Sequence, residues 1–124
     1  MVTPLGCGVD YNWRKLIQGV SGASKITRFN AGDYKCKVAC EVPLGDGSNG
    51  TFNAENWIEK KEIKKIDDFI KYSLASTDEA FKNANLSELK DDLSHRSGCI
   101  IGSGMGGLPG IEQTSLDFSK GKKI

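Results

Sequence analysis

Apolar and polar positions along the chain alternate in patterned stretches separated by glycine-rich or polar segments. In Asn12-Trp13-Arg14-Lys15-Leu16-Ile17, the residues Trp13, Leu16 and Ile17 share one face at helical spacing, which predicts a short helix. Gly19 stands where a left-handed residue closes such a helix, and Ser21-Gly22-Ala23-Ser24 predicts a turn. Cys36, Val38, Cys40 and Val42 alternate with Lys37, Ala39 and Glu41, and this period of two predicts a half-buried strand. Leu44-Gly45-Asp46-Gly47-Ser48-Asn49-Gly50 reads as a loop.

The strongest periodicity runs from about Asn56 to Asn83, where Ile63, Ile66, Phe69, Ile70, Leu74 and Phe81 form one apolar stripe. Lys60, Lys61, Lys64, Lys65 and Lys71 fall largely off that stripe. Asp78 and Glu79 after Ser76-Thr77 suit a new first turn, so the pattern fits one long helix or two. A polar connection from Ser87 to Arg96 leads to Gly98-Cys99-Ile100-Ile101, an apolar run that predicts a strand buried on both faces. It feeds into Gly102-Ser103-Gly104-Met105-Gly106-Gly107, and Pro109 suits the first turn of a further helix. Strands alternating with helices predict an α/β layered fold. Only two strands are evident, fewer than a parallel sheet covered on both faces requires, so the chain reads as incomplete.

Composition narrows the function classes. A chain of 124 residues has room for one domain or one piece of a larger domain. Lys+Arg 17 against Asp+Glu 16 leaves a net charge of +1, which gives no electrostatic case for a dedicated nucleic-acid binder. No run approaches the roughly 18 apolar residues of a membrane span, and the start, Met1-Val2-Thr3-Pro4-Leu5-Gly6, lacks the regions of a signal peptide.

The four cysteines, Cys7, Cys36, Cys40 and Cys99, could be disulfides, a metal site or free thiols. Cys36 and Cys40 have three residues between them rather than two, and His95 is the single histidine, so no metal site is expected. The expectation is free, mostly buried thiols. Cys40 falls in phase with the buried face of its strand and reads as structural rather than nucleophilic. His95 belongs to the residue type of a general base, but no partner stands at a defined spacing, and its polar run places it at the surface.

Two motifs remain. Gly102-x-Gly104-x-x-Gly107 formally matches a dinucleotide-binding fingerprint, without the acidic residue expected about 20 positions further on. Its plainer reading is a glycine turn that lets the backbone pass a crowded pocket, and no cofactor is expected. Lys60, Lys61, Lys64 and Lys65 form a basic cluster, either a solvated face or a docking patch for an acidic partner.

Taken in order, Thr3-Pro4-Leu5-Gly6, Trp13-x-x-Leu16-x-x-Gly19-x-Ser21-Gly22 and Ile26-Thr27-Arg28-Phe29 resemble the N-terminal signature of β-ketoacyl-acyl-carrier-protein synthases. Lys64-Lys65-Ile66-Asp67-x-Phe69-Ile70-x-Tyr72 resembles the helix that begins near that family's carrier-protein docking surface. Ile101-Gly102-Ser103-Gly104-Met105-Gly106-Gly107 is similar to its glycine turn. The ordered set covers essentially the whole chain and is most similar to elongating, type II members.

The resemblance implies a thiolase-like fold, an αβαβα sandwich in the full-length family, of which residues 1–124 would be an incomplete N-terminal half. The first strand and everything after the glycine-turn helix would be absent, with Met1 an internal methionine. It implies a cytoplasmic homodimer in fatty acid biosynthesis. An acyl chain is transferred to a cysteine, and malonyl-acyl carrier protein is decarboxylated and attacks the thioester, a case of covalent nucleophilic catalysis. None of Cys7, Cys36, Cys40, Cys99 or His95 occupies the family's catalytic motifs, which are expected beyond Ile124. By position, Met105, with Gly104 and Gly106 around it, corresponds to the gate of the acyl pocket. Lys61, Lys64 and Lys65 correspond to contacts with the acidic acyl carrier protein. A polyketide ketosynthase of the same fold and a small non-catalytic binding module remain open as alternatives.

Overall fold

The computed structural model describes residues 1–86 and 89–122. Ser87 and Glu88, at the start of the expected polar connection, lie outside the described residues, as do Lys123 and Ile124. The chain divides into two compact units, Met1–Asn56 and Trp57–Ile124.

The first unit begins with a small antiparallel hairpin, β1 (Val2–Thr3) and β2 (Gly6–Cys7), with Val2 opposite Cys7 and Thr3 opposite Gly6. Helix α1 (Val9–Ile17) follows at once. Asn12, the buried polar residue of this unit, ties the two together. Its Nδ2 donates to the Gly6 carbonyl at 3.0 Å and the Gly8 carbonyl at 2.7 Å, and its Oδ1 accepts from the Thr3 hydroxyl. A second clamp is steric. A Cβ at Gly6 would come within 2.6 Å of the Tyr11 ring, and Gly50, at φ +75°, presses on the same ring while its carbonyl accepts the Cys7 N–H at 2.8 Å. Glycine at both positions is what lets the backbone close on the aromatic.

Helix α1 ends as its sequence predicts. Gly19 adopts φ +67°, its N–H donates to the Leu16 carbonyl, and the Val20 N–H donates back to Lys15, the paired bonds of a Schellman closure. The same device closes the two long helices of the second unit, with Asn85 at φ 54° and Gly121 at φ 69° in the left-handed seat.

The expected half-buried strand over Cys36–Val42 shrinks to β4 (Val38–Ala39), paired antiparallel with β3 (Ser24–Lys25). Among the described residues this ribbon joins no larger sheet, and Val38, Cys36 and Cys40 are exposed. The expectation of mostly buried thiols is corrected with it. All four cysteines are free, but Cys36, Cys40 and Cys99 are exposed and Cys7 is half-buried. Glu41 instead works as a clamp whose carboxylate accepts the Thr27 hydroxyl at 2.6 Å and the N–H groups of Thr27 and Arg28. The Thr27 hydroxyl bond, then the backbone donors, hold this carboxyl below the usual carboxylate range.

In the second unit the apolar stripe forms helices, and the break falls earlier than the Ser76-Thr77 alternative. One turn, α2 (Lys60–Ile63), is followed by Lys64–Asp67 and then α3 (Asp68–Asn83), which runs unbroken through Ser76 and Thr77. Asp67 is extended at φ −75°, ψ 162° at the cap position of the new helix, where its backbone carbonyl accepts the Ile70 and Lys71 N–H groups and its side chain makes no cap bond. Ala75 is the buried residue of α3, while Ile63, Ile66, Phe69 and Ile70 are half-buried and Leu74 and Phe81 exposed.

The polar connection contains a short helix, α4 (Asp91–Arg96). Gly98-Cys99-Ile100-Ile101 forms no strand. Ile100 and Ile101 are exposed, and among the described residues they belong to no sheet. The helix expected near Pro109 is present as α5 (Leu108–Ser119), with Pro109 in its first turn.

Candidate functional site

The lysine segment surrounds α2. Lys61 pairs with Glu59 at 2.7 Å and Lys65 with Glu62 at 2.9 Å, both pairs solvent-exposed, and Lys64 is exposed as well. Such pairs contribute little to stability, of the order of 0–1 kcal/mol each. Four lysines against two glutamates over 59–65 leave the segment cationic, and its neutralised lysines can exchange partners cheaply.

The glycine turn stands in open backbone ahead of α5. Met105 is 72% exposed. Gly106 is at φ +63°, a conformation that favours glycine, whereas a Cβ at Gly102 or Gly104 would meet open space. Of the two glycines beside Met105, Gly106 is the one whose backbone requires it. Beyond the turn, Gly107 and Gly110 both lie against the carboxylate of Asp67. A Cβ at Gly107 would overlap it, and one at Gly110 would stand 3.0 Å from its oxygen. A dinucleotide fingerprint would seat a pyrophosphate at this helix N-terminus, and here an acidic side chain takes that place.

A groove of about 690 Å³ links the two features, lined by Lys65, Asp67, Phe69, Gly107, Gly110 and Phe118 among others. The structure therefore brings Lys65 and the start of α5 to one surface, while Lys61, Lys64 and Met105 lie outside its lining. Sequence reasoning missed Asp67. The visible signal was its place as a helix-starting Asp directly after the lysines.

The other candidates gather no chemistry. His95 is exposed in the last turn of α4. Burial pushes the Cys7 thiol up, against the opposing pull of the chain's amino terminus, so it is a poor thiolate at neutral pH. Cys40 lines an apolar groove of about 390 Å³ in the first unit with Trp13, Leu16 and Val20, and no basic side chain is among the lining residues. Among the described residues no group of three or more His, Cys, Asp or Glu side chains could hold a metal ion, and no helix is long and apolar enough to cross a membrane.

Comparison with known proteins matches residues 1–123 to the family described as beta-ketoacyl synthase, N-terminal domain. The 3-oxoacyl-[acyl-carrier-protein] synthase 2 of Rhizobium meliloti (strain 1021) is 47% identical over 111 residues, covering 90% of this chain and 26% of the relative. The protein of the same name from Staphylococcus aureus (strain N315) is 35% identical over 111 residues, covering 90% of this chain and 25% of the relative. The chain thus spans about a quarter of the length of the curated relatives it matches.

Proposed function

The chain belongs to the β-ketoacyl synthase family, and from that membership we propose that it is the N-terminal portion of a type II condensing enzyme. The whole enzyme elongates acyl chains in fatty acid biosynthesis by decarboxylative Claisen condensation of an acyl-enzyme thioester with malonyl-acyl carrier protein. It has the thiolase-like sandwich fold and acts as a cytoplasmic homodimer. The observation that carries the reading is 47% identity to a synthase 2 across nine-tenths of this chain. In this proposal Lys61, Lys64 and Lys65 dock the acidic carrier protein, and Met105, flanked by Gly104 and Gly106, gates the acyl pocket. The exposed, exchangeable ion pairs around α2 support the docking role, and the exposure of Met105 in a glycine turn supports the gate.

Charge reversal tests the docking role. In the full-length synthase, Lys65→Glu is expected to raise the KM for carrier-bound substrate roughly fivefold, mainly through slower association, and to flatten its salt dependence. An unchanged KM and salt slope would mean the patch is only solvated.

A second expectation concerns the 124-residue chain itself. None of the four cysteines stands in the family's nucleophile motif, so incubation with acyl-acyl carrier protein is expected to leave all four unmodified. Intact-mass spectrometry reads the result, and a stoichiometric acyl adduct on one cysteine would overturn the assignment of the nucleophile to a segment beyond this chain.

A further inference from the structure

The seat of Asp67 has a consequence for the glycine turn. Its side chain leaves the junction between α2 and α3, two residues after Lys65, and lies against Gly107 and Gly110 at the start of α5. Any Cβ at Gly107 would overlap the carboxylate, and a Cβ at Gly110 would stand 3.0 and 3.1 Å from its two oxygens. Beside it, the Phe69 ring edge lies 4.0 Å from the Cβ position of Gly106. Two consecutive glycines and a third one helical turn on thus form a cradle filled by residues 67 and 69.

The attraction is electrostatic rather than a cap bond. No side chain caps α5 by a hydrogen bond, and the carboxylate lies at the positive, N-terminal end of this 12-residue helix.

We propose that Asp67 is a positioning residue: its carboxylate seats the turn of Met105 on the segment that carries Lys61, Lys64 and Lys65, holding gate and docking residues in one register. The functional meaning of that register rests on the roles proposed above for Met105 and the lysines. The seating itself does not, and the two are separable by experiment.

The chain has two methionines, Met1 and Met105, so an ε-methyl label reports the turn without ambiguity. In the 124-residue chain, Asp67→Ala is expected to shift the Met105 methyl resonance. It should also speed amide exchange at Ile111–Thr114 roughly fivefold, the scale of one charge at a helix end, while Ala75–Lys82 keep their protection. Asp67→Asn, which keeps the shape and loses the charge, should fall between. A change confined to Phe69–Tyr72 would overturn the proposal, because it would show Asp67 only starting α3.

A rescue keeps the test decisive if Asp67→Ala unfolds the chain. Gly107→Ala, whose Cβ would overlap the Asp67 carboxylate, should lower the melting temperature, and adding Asp67→Ala to it should recover part of the loss. Strictly additive losses would overturn the cradle. Finally, added acyl carrier protein should slow exchange at Ile111–Thr114 in the unmodified chain and not in Asp67→Ala. Binding without that slowing overturns the shared register, whereas no binding at all sinks the docking role of the lysines and leaves the cradle to be scored on the methyl and exchange data.

Discussion

Replacing Met105 with Phe in the full-length synthase is expected to suppress elongation of long acyl chains about tenfold more than that of short ones. Met is unbranched and soft, and it can repack where a rigid ring cannot. Gly106, held at φ +63°, gives the turn a backbone conformation that favours glycine on one side of Met105, and Gly104 adds freedom on the other. A side chain that moves aside for a long chain costs little to displace. A phenyl ring in the same place must be accommodated by its neighbours, at a cost of the order of 1–3 kcal/mol, and only substrates that need the space meet that cost. The check is kcat/KM across a series of acyl-chain lengths. Equal losses for short and long substrates would make Met105 ordinary packing.

The second large effect lies in the first unit. Asn12→Ala is expected to destabilise that unit by about 3 kcal/mol, because it removes two donated bonds and one accepted bond at a buried side chain. A small domain has only about 5–15 kcal/mol of net stability, so such a loss is visible as a lower midpoint in chemical denaturation. Asn12→Asp keeps the shape but replaces a donor with an acceptor beside two carbonyls, and it should be no better than Ala. A midpoint within experimental error of the parent for both variants would show that the hairpin and α1 are held by the Tyr11 clamp instead.

The helices were legible in the sequence and the strands were not, for physical reasons. Helix α1 with its Gly19 closure, the stripe around α3 and the Pro109 start of α5 depend on hydrogen bonds and caps within a few residues of each other. The alternation over Cys36–Val42 and the apolar run Gly98–Ile101 depend on distant strands and a covering layer, which these residues do not specify. Among the described residues β4 pairs only with the two-residue β3 and Gly98–Ile101 joins no sheet, and Val38 and Ile100 are exposed. Family membership was legible because it rests on ordered motifs rather than on packing. The lysines and Met105 were singled out in that way, whereas Asp67 was not, since its meaning arises only when Gly107 and Gly110 come against it in space.

The outward face of α1 sets how the isolated chain behaves as a solute. Trp13, Leu16 and Ile17 are each about 60% exposed, with Val20 beyond the cap also in water. Expelling water from such a stripe is driven by entropy near room temperature and weakens on cooling. Self-association of the 124-residue chain through this face would therefore strengthen on warming and relax in the cold, so a preparation that clouds on the bench should clear on ice.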